Sequence, residues 1–469
     1  MSVTPEEPRA SLHGQWSSRL GFILAVAGSA VGLGNIWRFP YMAGENGGGA
    51  FVLVYLACVL VVGLPIMMSE ILIGRRGRRN PVATMQLLGE EEAGNGAWYW
   101  VGVVGVITGF LILSFYSVIA GWAVAYIFEG ASGAFNAADV NQIESIFTGL
   151  IADPMRTGLW HTAFMACTVF VVALGVERGL ERAVRVLMPA LVLLLLALLA
   201  YGVVEGNFVE GLVFLFEPRF EDLSPEGVLE AMGQAFFTLS VGMGAIMAYG
   251  AYLPNEASIA RTSIAVVAAD TVIAVLAALV IFPIVFANGL DPASGPGLVF
   301  QSLPLAFGQM AGGIYVSVLF FLLLTFAAWT SAISLMEPAV AWFIERLKFT
   351  RAQAAIVVGL IIWALGWLSV LSFGPWSGSE HQFLQGTIFD NLDFLTNNIL
   401  LPLGGLAIIV FAGWVMARNS TADELDPQAG LGYRFWNFSA RFIAPIAILL
   451  VLLHVLGLLP LIIEFFRPV

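Results

Sequence analysis

A chain of 469 residues that is 59% hydrophobic and 11% charged holds more apolar side chain than a soluble core could bury, so its solvent is lipid. A net charge of -12 excludes the basic face that nucleic acid requires. Two cysteines, Cys58 and Cys167, and four scattered histidines offer neither a disulfide framework nor converging metal ligands, so the composition gives no support for a metalloenzyme.

Residues 1–15 are polar, contain Pro and acids, and lack the apolar run of a secretory signal; they read as a cytoplasmic tail. Residues 16–464 read as a single all-α transmembrane domain. Apolar segments bounded by Gly, Pro and charge clusters predict eleven spans: 17–43, 48–74, 98–128, 157–176, 182–205, 228–253, 258–289, 314–345, 350–373, 388–416 and 436–464. With the N-terminus inside, sixteen of the twenty Lys and Arg residues fall on cytoplasmic loops. That positive-inside asymmetry, with an odd span count, puts residues 465–469 outside a multi-pass protein of the cell membrane. Lys348 is the only lysine and the long loops are acidic, a pattern that fits a salt-loving host.

Span 1 contains Val31-Gly-Leu-Gly-Asn-Ile36 and span 6 contains Val241-Gly-Met-Gly-Ala-Ile246, identical at four of six positions. Five spans separate them, so the second copy crosses in the opposite direction. Spans 1–5 (about 17–205) and 6–10 (about 228–416) then form an inverted pair, with span 11 (about 436–464) appended. Paired glycines can serve close helix packing alone. Here they adjoin Ser29, Asn35, Thr238 and Ser240, polar groups that are costly at mid-membrane depth, and this favours two broken helices facing a site. An opened helix frees carbonyls for a cation and amide N–H groups for a carboxylate.

Trp16-Ser-Ser-Arg-Leu-Gly21, Gly28-Ser-Ala-Val-Gly-Leu-Gly-Asn-Ile-Trp-Arg-Phe-Pro40 and Glu45-Asn-Gly-Gly-Gly-Ala-Phe51 resemble the neurotransmitter:sodium symporter family. So do Gln234–Ser240, Thr330-Ser331 and Asp390–Phe394. Eleven spans match the short prokaryotic branch. The resemblance implies a leucine-transporter-like 5+5 inverted repeat with helices 1 and 6 unwound at mid-membrane. It also implies two sodium sites. The first would use Ala30, Asn35, Thr238 and Asp270. The second would use Gly28, Val31, Ala327, Thr330 and Ser331. Hard oxygen ligands of this kind suit a hard cation.

The resemblance further places an amino acid among Ala30, Gly34, Ile112, Tyr116, Phe237, Thr238, Ser240, Met243, Ser331 and Leu335. Amine carriers of the family have an acid where this chain has Gly32, so the substrate is expected to bring its own carboxylate. Apolar Ile112, Phe237, Met243 and Leu335 imply a neutral, hydrophobic or aromatic side chain. Arg38 and Asp393 match an outer gate, and Trp16, Tyr252 and Glu345 an inner one. The chain departs from the pattern at His13, where the family has arginine; Arg9 is the other candidate partner for Glu345. Gly179 and Pro189 match a helix 5 that unwinds at its inner end, although a cap and kink would use the same residues. Asp270 stands where the leucine-transporter-like pattern has asparagine and is expected to stand in for chloride, with no chloride requirement, and to take up a proton on the return step. Glu70 is expected to hydrogen-bond the opened backbone of helix 6.

The function implied is sodium-coupled import of an amino acid by alternating access. A sodium-dependent sensor that binds without net transport is the alternative. No nucleophile, base or phosphate-binding loop supports an enzyme or an ATP-driven pump.

Overall fold

The computed structural model describes residues 15–291, 297–426, 428 and 430–459. The tail residues Arg9 and His13, residues 460–464 of the last predicted span and the C-terminus at 465–469 lie outside the described residues.

Helix falls on every predicted span. In chain order these are α1 in two halves (Arg19–Ala30 and Gly34–Glu45), α2 (Gly49–Gly77), α3 (Gly96–Ala131), α4 (Pro154–Ala173) and α5 (Val176–Glu205). The second series comprises α6 in two halves (Pro225–Thr238 and Ala245–Gly250), α7 (Ile259–Ala287), α8 (Gly313–Leu347), α9 (Arg351–Phe373), α10 (Ile388–Val415) and α11 (Leu431–Val455). Among the described residues, eight are long and apolar enough to cross a membrane, or nine if the halves of α1, bent by 54°, count as one span. The other two fall short for identifiable reasons. The first half of α4 carries Arg156, Thr157 and His161, and α6 is divided into pieces of 14 and 6 residues.

Helix ends follow local chemistry. Ser18 caps α1 by accepting from the Gly21 N–H (3.1 Å), and Thr350 and Gln353 close a reciprocal capping box at the start of α9. In lipid, burying apolar surface does not by itself drive one helix onto another, so packing and hydrogen bonds must supply the specificity. Equivalent elements of the two repeats meet directly, α3 along α8 and α4 along α9. The first half of α1 is held against α5, α7 and α8, and both halves of α6 lie on α2. The two broken helices thereby sit inside the bundle, away from lipid.

Candidate functional site

The breaks arise where the backbone leaves helical geometry. Val31 is extended (φ -71, ψ 103) after the first half of α1. In α6, Ser240, Gly242 and Gly244 all have positive φ (52, 89 and 75). Glycine is required at 242 for a second reason: a Cβ there would lie 2.5 Å from the Leu401 carbonyl oxygen. Ser240 bears the left-handed conformation with a side chain, and its hydroxyl donates to the Ser29 carbonyl (2.9 Å), which ties the α6 break to the α1 break. Glu70 of α2 is fully buried and accepts from the Gly242 N–H and from the Met247 N–H (3.3 Å). A carboxylate at the start of the inner half of α6 satisfies amides that the break leaves open.

Two oxygen-rich clusters flank the breaks. In the first, the Asn35 amide donates to Thr238 Oγ1 (2.9 Å), Asp270 Oδ1 (2.7 Å) and the Asp270 carbonyl (3.2 Å). Thr238 donates to the same carboxylate (3.1 Å), Tyr55 reaches its other edge (3.5 Å), and Asn35 Oδ1 accepts from the Gly32 N–H (3.0 Å). Asn35, Thr238 and Asp270 are buried together. Their hydroxyl, carboxylate and amide oxygens are hard donors of the type sodium takes, provided the Asn35 amide flips to turn its oxygen toward Thr238 and Asp270. In the second cluster, Ser331 Oγ of α8 lies within reach of the carbonyls of Gly28 (3.5 Å), Ser29 (3.1 Å) and Val31 (3.3 Å). Thr330 instead donates to its own helix, at Ala327 O (3.0 Å) and Phe326 O (3.2 Å). Its lone pairs remain available, and the set is again all oxygen.

Between the clusters is a small cavity of about 30 Å³ lined by Ala30, Gly32, Leu33, Gly34, Ile112, Tyr116, Phe237, Ser240, Met243, Ser331 and Leu335. Thr238 is not among its lining residues; it faces Asn35 and Asp270 instead. Tyr116 Oη accepts from the Leu33 N–H (3.3 Å) at the rim of the α1 break. A Cβ on Gly32 would sit 2.6 Å from Ser331 Oγ and 3.0 Å from Tyr116 Oη, so a side chain here would occupy the space between the two hydroxyls. Among the described residues, no charged side chain lines this cavity.

Above Tyr116 and Phe237 a wider cavity of about 180 Å³ is bounded by Trp37, Arg38, Tyr41, Phe389, Asp393 and Asn397. The outer ion pair expected between Arg38 and Asp393 is not made: the guanidinium lies 4.9 Å over the Phe237 ring, and Asp393 accepts from Asn397 (2.6 Å). The open cavity between them is the physical reason, because it leaves both charged groups with other partners.

At the expected inner gate, Trp16 donates from Nε1 to the Tyr249 carbonyl (3.2 Å) and from its backbone to the Tyr252 carbonyl (3.1 Å), with its ring edge-on to Tyr249 at 5.2 Å. Glu345 accepts from the Asn80 backbone (2.6 Å) and side chain (2.7 Å). Gly179 and Pro189 both lie within the continuous helix of α5, so its inner end is wound in this conformation.

The structure adds partners that sequence reasoning missed. Tyr252 Oη donates to Glu337 Oε1 (2.8 Å), and Arg351 grips both oxygens of Glu337 (2.8 and 2.5 Å) while donating to the Val172 carbonyl (3.0 Å). Glu181 accepts from the Ser17 N–H (3.0 Å) and hydroxyl (2.5 Å) and pairs with Arg185 (2.5 Å). One signal was available: Glu337, beside Pro338 inside an apolar span, is an acid that lipid depth makes costly without a partner.

Comparison with known proteins agrees with this geometry. The model of the sodium:neurotransmitter symporter family matches residues 13–145 and 151–463. A sodium-dependent transporter of Bacillus subtilis is 39% identical over 448 residues, covering 95% of this chain and 98% of the relative. A sodium-dependent neutral amino acid transporter of Rattus norvegicus is 23% identical over 551 residues, covering 95% and 73%. The crystal structure of MhsT in complex with L-phenylalanine aligns with a TM-score of 0.86 at 46% identity, covering 94% of this chain and 99% of MhsT.

Proposed function

The chain belongs to the sodium:neurotransmitter symporter family, and from that premise we propose that it imports a neutral, hydrophobic or aromatic amino acid together with sodium. The observation that carries this reading is the cavity between the two breaks, lined by backbone and hydroxyl groups of α1, α3, α8 and the α6 break together with apolar Ile112, Phe237, Met243 and Leu335 and, among the described residues, by no charged side chain. A substrate with its own carboxylate and amine and an apolar side chain complements that lining. The rat relative's neutral amino acid and the phenylalanine bound to MhsT support the same class.

In this proposal the carboxylate lies near the Gly34 amide and the Tyr116 hydroxyl, and the amine meets carbonyls of α1 and α6 beside Ser240. Met243, unbranched and polarizable, adapts the pocket to side chains of different shape. Ala30, Asn35, Thr238 and Asp270 hold one sodium, and Gly28, Val31, Ala327, Thr330 and Ser331 a second. Asp270 substitutes for chloride and takes up a proton on the return step. Arg38 and Asp393 close over Phe237 once substrate is bound. Loss of the second ion frees the inner half of α1 from Ser331, and α5 unwinds between Gly179 and Pro189 to admit water. The N-terminus is cytoplasmic, and residues 16–464 act as one transporter unit.

Two sodium ions carried with a zwitterion move two charges, about 4.6 kcal/mol at 100 mV from roughly 2.3 kcal/mol per charge. That supports accumulation on the order of a thousandfold. The test is uptake of radiolabelled amino acids into proteoliposomes under an inward sodium gradient against equal potassium, for wild type and Asn35→Ala. Sodium-dependent accumulation lost in the variant supports symport; sodium-dependent binding without accumulation sinks it in favour of a sensor.

A further inference from the structure

Beside the second oxygen cluster, serines of α1 and α8 close a ring of hydrogen bonds. Ser29 Oγ donates to Ser334 Oγ (2.7 Å), Ser334 Oγ donates to the Ser331 carbonyl (2.8 Å), and Ser331 Oγ donates to the Ser29 carbonyl (3.1 Å). Ser240, from the α6 break, donates to that same carbonyl (2.9 Å). All four serines are buried.

A hydroxyl has one proton and two lone pairs. It can offer a lone pair to a cation only if the proton is directed elsewhere, because a proton facing the ion would repel it. The two hydroxyls of this cluster dispose of the proton differently. Thr330 has an acceptor on its own helix outside the sodium set, the Phe326 carbonyl (3.2 Å), besides that of Ala327, so its orientation depends on α8 alone. Ser331 faces cross-helix acceptors, the carbonyls of Gly28, Ser29 and Val31 and the Tyr116 hydroxyl, and the last already accepts from the Leu33 N–H. A proton on Gly28 or Val31 would occupy a carbonyl assigned to sodium. The Ser29 carbonyl is the nearest of the three and stands outside that ligand set.

We propose that Ser29 and Ser334 are positioning residues for the second sodium site. Their hydroxyl pair holds the Ser29 carbonyl against α8 as the acceptor for the Ser331 proton, and the Ser331 lone pairs then face the space shared with the Gly28 and Val31 carbonyls. The register of α1 on α8 is set before the ion arrives, so less ordering has to accompany binding. This inference rests on reading that cluster as a sodium site.

The experiment is a sodium titration of radiolabelled L-phenylalanine binding to the purified full-length protein in detergent, with potassium replacing sodium. Ser29→Ala and Ser334→Ala should each raise half-saturating sodium roughly three- to tenfold, the worth of one buried hydrogen bond. Binding capacity at saturating sodium should stay at the wild-type level. The double variant should be no worse than the more affected single, because both substitutions open the same ring. Unchanged half-saturation in both single variants, or effects that simply add, overturns the proposal. If Ser334→Ala fails to fold, Ser334→Cys keeps the shape with a weak donor and is read by the same criteria. Wild-type binding that ignores sodium overturns the sodium-site reading itself, an outcome distinct from sodium-dependent wild type with indifferent variants.

Discussion

At one end of the bundle Arg38 and Asp393 line one cavity without meeting, whereas at the other Trp16, Tyr252, Glu337 and Arg351 form a continuous chain from the segment before α1 to α9. Arg38 and Asp393 have substitute partners, an aromatic ring and an asparagine, so parting them costs little. The Glu337 carboxylate is fully buried and bound by three donors. Removing one partner there leaves an uncompensated charge, which is far more costly than removing one from water. In this structure the end held by Trp16, Tyr252, Glu337 and Arg351 is closed by buried hydrogen bonds, whereas the Arg38 and Asp393 end can change by rearranging a few side chains.

Four measurements would sharpen or break that contrast. The largest effect is expected for Glu337→Ala, which strands Arg351, itself only 18% exposed, at a cost of about 3–5 kcal/mol in thermal unfolding in detergent. Adding Arg351→Ala should recover part of the loss; a double variant no more stable than the single would show that the pair is not what closes its end of the bundle. Trp16→Ala removes a ring packed edge-on with Tyr249 and Phe22 and tilted against Tyr252. Amide hydrogen exchange across residues 245–252 should then accelerate by about tenfold or more, equivalent to roughly 1.4 kcal/mol of local stability. Glu181→Gln is expected to cost about 1 kcal/mol in thermal unfolding, because this buried carboxylate accepts from Ser17 as well as from half-exposed Arg185, and glutamine keeps an acceptor while losing the charge. Asp393→Asn should leave the unfolding free energy within about 0.5 kcal/mol of wild type, because its Oδ1 can still accept from Asn397 and no ion pair with Arg38 is lost. Its proteoliposome uptake should fall while sodium-dependent binding persists, and equal loss of both would remove Asp393 from the gate.

Much of this arrangement was legible in the chain because its signals are local. Apolar length marks a span, and the repeated Val-Gly-x-Gly pattern marked both breaks, where Gly242 and Gly244 do adopt the left-handed backbone. The polar neighbours of those glycines, Asn35 and Thr238, meet each other and Asp270 across three helices. Other features left no local trace. Ser29 and Ser334 are ordinary serines in apolar spans, and nothing in their neighbourhoods says that they face each other. Arg351 reads as one more cytoplasmic arginine until α9 is packed against α4 and α8.

By itself, the sequence determined that this protein lives in lipid, where its helices run and where two of them open, because these follow from transfer free energy and backbone sterics within short windows. Only the tertiary structure decided which hydroxyl takes which proton acceptor, which acid meets which arginine, and that Arg38 and Asp393 stand apart while the chain through Glu337 is closed. Those choices depend on side chains hundreds of residues apart arriving within hydrogen-bond distance. At that range a shift of about an ångström decides whether a bond exists.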